Sequence, residues 1–205
     1  MLRAITIAVI VGTAAVGIFY LGSPMIPTKT IANPLQNALD QVQGGLTYDK
    51  FVNMVDSQRD SLVAKMPQKT IDLIMDEAKK VPTTVSESLQ DMVSKISASS
   101  QAVIFSKQGQ FVGLKGHDVK GKAEIISVGK IAFLRFENFE VTNGPDLHVY
   151  MTIDGDVTSG IDLGKLKGSI GDQNYELNGV DVKTYHVVVI YSQPFHIYFA
   201  EAKLS

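Results

Sequence analysis

The sequence predicts an α+β protein: an N-terminal transmembrane helix, short amphipathic helices, then an all-β antiparallel sandwich or barrel-like domain. Three observations lead there. An uncharged apolar run occupies Ala4 to Leu21, apolar residues at helical spacing fill Pro34 to Ser97, and period-two alternation with frequent glycine follows Ser99 and Ser100. The 205 residues thus divide into an anchor over 1–24, a linker and helical spacer over 25–100, and a β domain over 101–205.

The run AITIAVIVGTAAVGIFYL carries no charge from Ala4 to Leu21. At ~1.5 Å rise per residue, roughly 18 to 20 residues cover most of a ~30 Å hydrocarbon core, whereas a signal-peptide apolar region has about 7 to 15. Tyr20 and Leu21 stand where cleavage after Gly22 or Ser23 would need small side chains. Arg3 and the α-amino group precede the span and Lys29 is the nearest cation after it, which places the remainder outside by the positive-inside rule. The expectation is a single-pass cell-membrane protein with its C-terminal domain extracytoplasmic. A cleaved signal peptide and a secreted product are the alternative.

Pro24, Pro27 and Pro34 make the next stretch a linker. Asn33 and Pro34 read as N-cap and first helical residue, and Leu35, Ala38, Leu39 and Val42 keep helical spacing until Gly44 and Gly45. A second helix starts at Thr47, with Phe51, Met54, Val55, Leu62, Val63 and Met66 on one side and Lys50, Asn53, Asp56, Arg59 and Asp60 on the other, until Pro67. Ile71, Ile74, Met75 and Ala78 mark a third, ending near Val81. Val85, Leu89, Met92, Val93 and Ile96 mark a fourth. These faces are expected to pack together or onto the next domain.

Strands are predicted at Ala102–Phe105, Lys122–Ser127, Lys130–Phe136, Leu147–Ile153, Tyr175–Leu177, Tyr185–Ser192 and Phe195–Ala200. Turns such as Asn143-Gly144-Pro145, Asp154-Gly155-Asp156 and Asn178-Gly179 separate them. About a hundred residues in several short strands are enough to bury about two-thirds of their unfolded surface.

Charge and composition exclude several functions. Nineteen Lys and Arg against 21 Asp and Glu remove the electrostatic attraction on which nonspecific nucleic-acid binding depends. With no cysteine there is no disulfide, no Cys-ligated zinc or iron–sulfur site and no c-type haem attachment. No Gly-x-Ser-x-Gly elbow, Walker loop, His-Glu-x-x-His or Rossmann glycine pattern occurs, so no enzyme activity is expected. Alternation puts His148, Tyr150 and Thr152 on one face of a strand, and His196 and Tyr198 on one face of the last strand. Were the two strands in one sheet, His148 and His196 could hold copper, zinc or haem iron. A half-exposed sheet face explains the same residues without a ligand, and the expectation is that no cofactor is bound, with a metal or haem as the alternative. Asp154-Gly155-Asp156 with Asp162 could offer oxygens to calcium, yet lacks the loop spacing and the terminal Glu, and reads as a hairpin turn.

One series of motifs is more specific. Asn143-Gly144-Pro145-Asp146-Leu147-His148-Val149-Tyr150 is followed by Asp162-Leu163-Gly164-Lys165-Leu166-Lys167-Gly168 and Gly171-Asp172-Gln173-Asn174-Tyr175-Glu176-Leu177. The series closes with Tyr185 to Ser192, Phe195, and Phe199-Ala200-Glu201-Ala202-Lys203-Leu204. In this order they resemble the electron transfer DM-thirteen domain, found in Skeletor-type proteins beside the DOMON domain, and Gly116 to Phe139 resembles its opening. The resemblance covers about the last hundred residues. It implies an extracytoplasmic β domain and a redox role tied to a cysteine. Here that position is Ser192, whose hydroxyl cannot cycle between thiol and disulfide.

The functional expectation is a membrane-anchored extracytoplasmic binding or accessory module, with an envelope protein or carbohydrate as partner and no nucleic acid. One alternative is a redox or electron-transfer accessory protein holding a metal or haem through His and Tyr. Another is a structural or assembly protein of the cell envelope.

Overall fold

Prolines, glycines and one asparagine set the helix boundaries in the computed structural model, which describes residues 33–96, 102–129 and 131–205. Helix α1 (Pro34–Val42) buries Leu35 and Leu39, and Gly45, at a φ of +72° that glycine adopts without strain, follows its end. Thr47 caps α2 (Tyr48–Val52) by accepting from the Lys50 amide. The predicted single helix from Thr47 to Met66 is in fact two, because the chain leaves the helix at Asn53 and restarts as α3 (Asp56–Val63). Both the backbone and the side-chain amide of Asn53 donate to the Asp49 carbonyl, and Val55 is extended at the next N-cap. The break frees the Val52 carbonyl, which takes a hydrogen bond from Arg59 at 3.2 Å.

Pro67 precedes α4 (Gln68–Lys79) as predicted. The fourth helix is shorter than its apolar spacing suggests: α5 is Leu89–Ile96. Ahead of it the chain is extended, with Val85 donating to the Ile170 carbonyl and Glu87 to the Asp172 carbonyl, both at 2.9 Å. Gly171 permits this approach. Its φ is +108° and a Cβ there would lie 1.9 Å from the Val85 carbonyl oxygen.

Among the described residues nine strands follow: β1 (Val103–Gln110), β2 (Val112–Gly113), β3 (Val119–Val128), β4 (Ile131–Val141), β5 (Leu147–Thr152), β6 (Ile161–Lys165), β7 (Gln173–Glu176), β8 (Val187–Ser192) and β9 (Ile197–Lys203). One sheet has the order β1-β3-β4-β7 and the other β2-β9-β8-β5-β6, with antiparallel pairing throughout. Strands β2 and β6 escaped the sequence pattern, the first because it is two residues long and the second because Gly164 and two charged residues interrupt its alternation. The antiparallel sandwich itself is as predicted. Its core joins Ile125, Leu134, Phe136 and Tyr175 of the first sheet to Val149, Met151, Val188, Ile190 and Phe199 of the second.

Two helical patches cover this sandwich. Leu89, Met92 and Val93 of α5 pack on Ile126, Val128 and Phe133, the outer face of the first sheet. Leu39, Phe51, Met66 and Ile74 form a second small core, which meets the β domain where Phe51 stacks on Phe195 with ring centroids 5.7 Å apart. Asn143 donates to the Ala78 and Val81 carbonyls at the end of α4. Helices and sheets therefore make one compact unit, Pro34–Ser205. The expected span from Ala4 to Leu21 lies outside the described residues, and no described helix is long and apolar enough to cross a membrane.

Candidate functional site

The Gly144-Pro145-Asp146 turn delivers a carboxylate into a nearly closed position at the mouth of the second sheet. Asp146 has a φ of +46°, a left-handed conformation that Asp tolerates better than most residues. Its side chain is 4% exposed and is held by Arg59 at 2.6 Å and Lys165 at 2.7 Å, with His148 Nε2 at 3.6 Å. Arg59 is itself 2% exposed and also pairs with Asp56 at 2.7 Å. From the other side Asp162 accepts from His148 Nδ1 at 2.9 Å, from the Gly164 amide at 2.8 Å and from Gln193 Nε2 at 3.2 Å. Gln193 also donates to the Tyr150 hydroxyl. Arg59, Asp146, His148, Asp162, Lys165 and Gln193, with Asn53 and Met54 of the α2–α3 break, line a cleft of about 320 Å³.

The charges set the protonation states. Burial alone would lower the His148 pKa, but hydrogen bonds to Asp146 and Asp162 and their negative charges outweigh it and raise the pKa to about 9. His148 is then an imidazolium at neutral pH, its Nδ1 donating to Asp162 at 2.9 Å and its Nε2 facing Asp146 at 3.6 Å. Burial alone would raise Asp146 and Asp162; their bonds to His148, with Lys165 and Arg59 acting on Asp146 and the Gly164 amide on Asp162, instead hold both below the ordinary carboxylate range. Burial and then the Asp162 charge push Tyr150 up to about 12.

Beside the cleft the outer face of the second sheet carries a row of tyrosines. Register places Tyr150 of β5, Tyr191 of β8 and Tyr198 of β9 on this face. Tyr150 and Tyr191 meet edge to face with centroids 5.9 Å apart, and Tyr191 and Tyr198 at 5.0 Å. The Tyr191 hydroxyl is 2.9 Å from His196 Nδ1. His196 is not in the last strand as the alternation suggested. It has a φ of +54° in the turn before β9, and the alternation fails again at Phe199, which bulges out of register so that Tyr191 pairs with Tyr198 and Ile190 with Ala200.

The structure therefore does not gather His148 and His196 around one ion. His148 lines the charged cleft, while His196 lines a separate one with Gln68, Met75, Lys115 and His117. Among the described residues no group of three or more His, Cys, Asp or Glu side chains is arranged to hold one. Asp154, Gly155 and Asp156 form a turn in which Asp154 accepts from the Asp156 amide and Asp156 caps a short 3-10 turn (Val157–Ser159). Ser192 is fully buried, its hydroxyl donating to the Pro145 carbonyl at 2.7 Å. It pins β8 to the turn that aims Asp146.

Sequence reasoning singled out His148, His196 and Ser192 and missed the groups that organise them. Asp146 and Lys165 stood in plain view inside the quoted motifs. Gln193 directly follows Ser192. Arg59 gave no signal, because helical spacing put it among solvated charges.

These features define a two-sheet antiparallel β domain with a charged, hydrogen-bonded cleft at one edge and aromatic side chains on its outer face. Residues 110–204, in the C-terminal half of the chain, match the family model described as Electron transfer DM13. No curated protein and no solved structure matches the chain.

Proposed function

We propose that the protein is a membrane-anchored, extracytoplasmic accessory module of an electron-transfer chain, held by the Ala4–Leu21 span and working with a partner protein rather than as an enzyme. One observation carries this reading: residues 110–204 match the Electron transfer DM13 family model, and Asp146, His148, Asp162 and Lys165 of its motifs line one cleft, although the thiol position is a buried serine hydroxyl tied to Pro145. A thiol-based mechanism is closed to this chain, so any electron passing through the domain uses other side chains or a partner's centre.

The test uses intact cells of the source, with and without the protein, and hexachloroiridate(IV), a one-electron oxidant that does not cross membranes. Cells with the protein should reduce it faster, and high salt should leave the protein in the membrane fraction with residues 1–21 retained. Equal reduction rates would overturn the electron-transfer reading, and a salt-extractable protein starting after residue 20 would overturn the anchor.

A further inference from the structure

A chain with no cysteine and no tryptophan has its phenols as the side chains most open to one-electron oxidation. Of its seven tyrosines, three stand side by side on the outer face of the second sheet, with centroid separations of 5.9 Å and 5.0 Å. Proximity alone would be ordinary sheet packing. The second observation is that one of the three, Tyr191, carries a ring nitrogen on its phenol that can take a proton. The Tyr191 hydroxyl meets His196 Nδ1 at 2.9 Å, while the Tyr150 hydroxyl accepts from Gln193, which also donates to Asp162. A phenol loses an electron readily only if its proton has somewhere to go, because the radical cation left otherwise is a very strong acid. A hydrogen-bonded base removes that obstacle in the same step. His196 is exposed and Tyr191 is nearly covered, at 8%, so the proton can reach solvent while the radical stays shielded.

We propose that Tyr191, with His196 as its proton acceptor, is a one-electron relay, extended along the sheet by Tyr150 and Tyr198; this rests on the electron-transfer reading above. The external oxidant is a high-potential oxidised metal centre of the partner protein. It takes one electron from Tyr191 and is itself reduced by one. The phenolic O–H bond breaks in the same event and its proton moves to His196 Nδ1, leaving a neutral phenoxyl radical beside an imidazolium. A one-electron donor of the same redox chain then reduces the radical, directly or through Tyr150 or Tyr198, and the proton returns from His196 to the phenolate oxygen. The relay takes the place of a thiol on the same strand: Tyr191 immediately precedes Ser192, yet lies on the solvent side of the sheet.

The experiment uses the full-length protein in detergent, oxidised by flash-generated tris(bipyridine)ruthenium(III), with freeze-quenched electron paramagnetic resonance as the readout. A tyrosyl radical should form in the parent protein, and Tyr191→Phe should lose most of it, while Tyr185→Phe should leave it unchanged. His196→Gln keeps a hydrogen-bond acceptor but cannot take the proton. It should slow radical formation by about a hundredfold at neutral pH, the low end for removal of a positioned base, and added imidazole should restore the rate. A full radical yield in Tyr191→Phe, or an unchanged rate in His196→Gln, overturns the relay. The same variants in intact cells separate the two readings. Protein-dependent hexachloroiridate reduction that survives Tyr191→Phe overturns the relay and leaves the accessory function standing. A Tyr191 radical in the purified protein with no protein-dependent reduction by cells overturns the function and leaves the relay chemistry standing.

Discussion

Arg135 and Arg59 are both buried arginines at the centre of charged networks, and the networks are built to different ends. Arg135, on β4, bonds through all three nitrogens: Nε to Glu137 at 2.9 Å, Nη1 to the Glu87 carbonyl and Asn174, and Nη2 to Asp172 at 2.7 Å. It ties the extended segment before α5 to β4 and β7. Arg59 bonds through two nitrogens, and its buried Nε has no hydrogen-bond partner. Its chief partner Asp146 is shared with Lys165 and the titratable His148. The first network is a closed clip inside and beside one sheet. The second joins helix to strand and stays responsive, since a change of protonation at His148 is felt by Asp146, Asp162 and, through Gln193, Tyr150.

Breaking the closed clip should have the largest effect. Arg135→Ala leaves Asp172 and Asn174 without their partner and should destabilise the protein by about 3 kcal/mol, the low end for a broken buried pair because Asp172 is partly exposed; urea denaturation measures it. Arg59→Ala should cost less, about 2 kcal/mol in the same assay, because Lys165 and His148 still balance Asp146. It should also raise the His148 pKa further, by removing a competing cation, which imidazole chemical shifts would report.

The responsive network should next show itself in pH dependence. The folded-state pKa of His148, about 9, stands above the unfolded value of about 6.5. The folded state therefore binds the extra proton between these values, and stability is greatest below about 6.5 and falls as pH rises through about 9. Asp146 and Asp162 act in the opposite sense, their contribution being lost as pH falls below the ordinary carboxylate range. Thermal melts from neutral to alkaline pH should show the decline, and His148→Gln should flatten it. The smallest effect belongs to Ser192. Ser192→Ala removes one hydrogen bond and should cost about 1 kcal/mol, with radical formation at Tyr191 intact, whereas a large loss of that radical would link the two positions.

The sequence exposed what depends on periodicity and concealed what depends on long-range contact. The apolar faces of β5 and β8 were legible because a strand with one buried face must alternate, and the helix ends at Gly44, Pro67 and Val81 because glycine and proline act locally. Helical spacing at Val85 and Leu89 misled, since the Val85 amide is held by the carbonyl of Ile170, 85 residues away, beside a glycine that only tertiary structure explains. The site divided the same way. His148 and Tyr150 were placed on one face correctly. His196 was misplaced because a turn at positive φ leaves no periodic trace, and Arg59 because nothing local tells a buried guanidinium from a solvated one.

The contact between Phe51 and Phe195 bears on how the protein is produced for solution work. The family match begins at Gln110, the last residue of β1, and a shortened chain cut there would lose the strand that covers the edge of β3. It would also leave Phe195 bare and Asp146 without Arg59. Such a fragment presents an open strand edge next to uncovered aromatic surface, a combination that favours self-association and precipitation. A soluble piece suited to spectroscopy should instead begin at Pro34, so that the helices travel with the domain whose boundary they do not share.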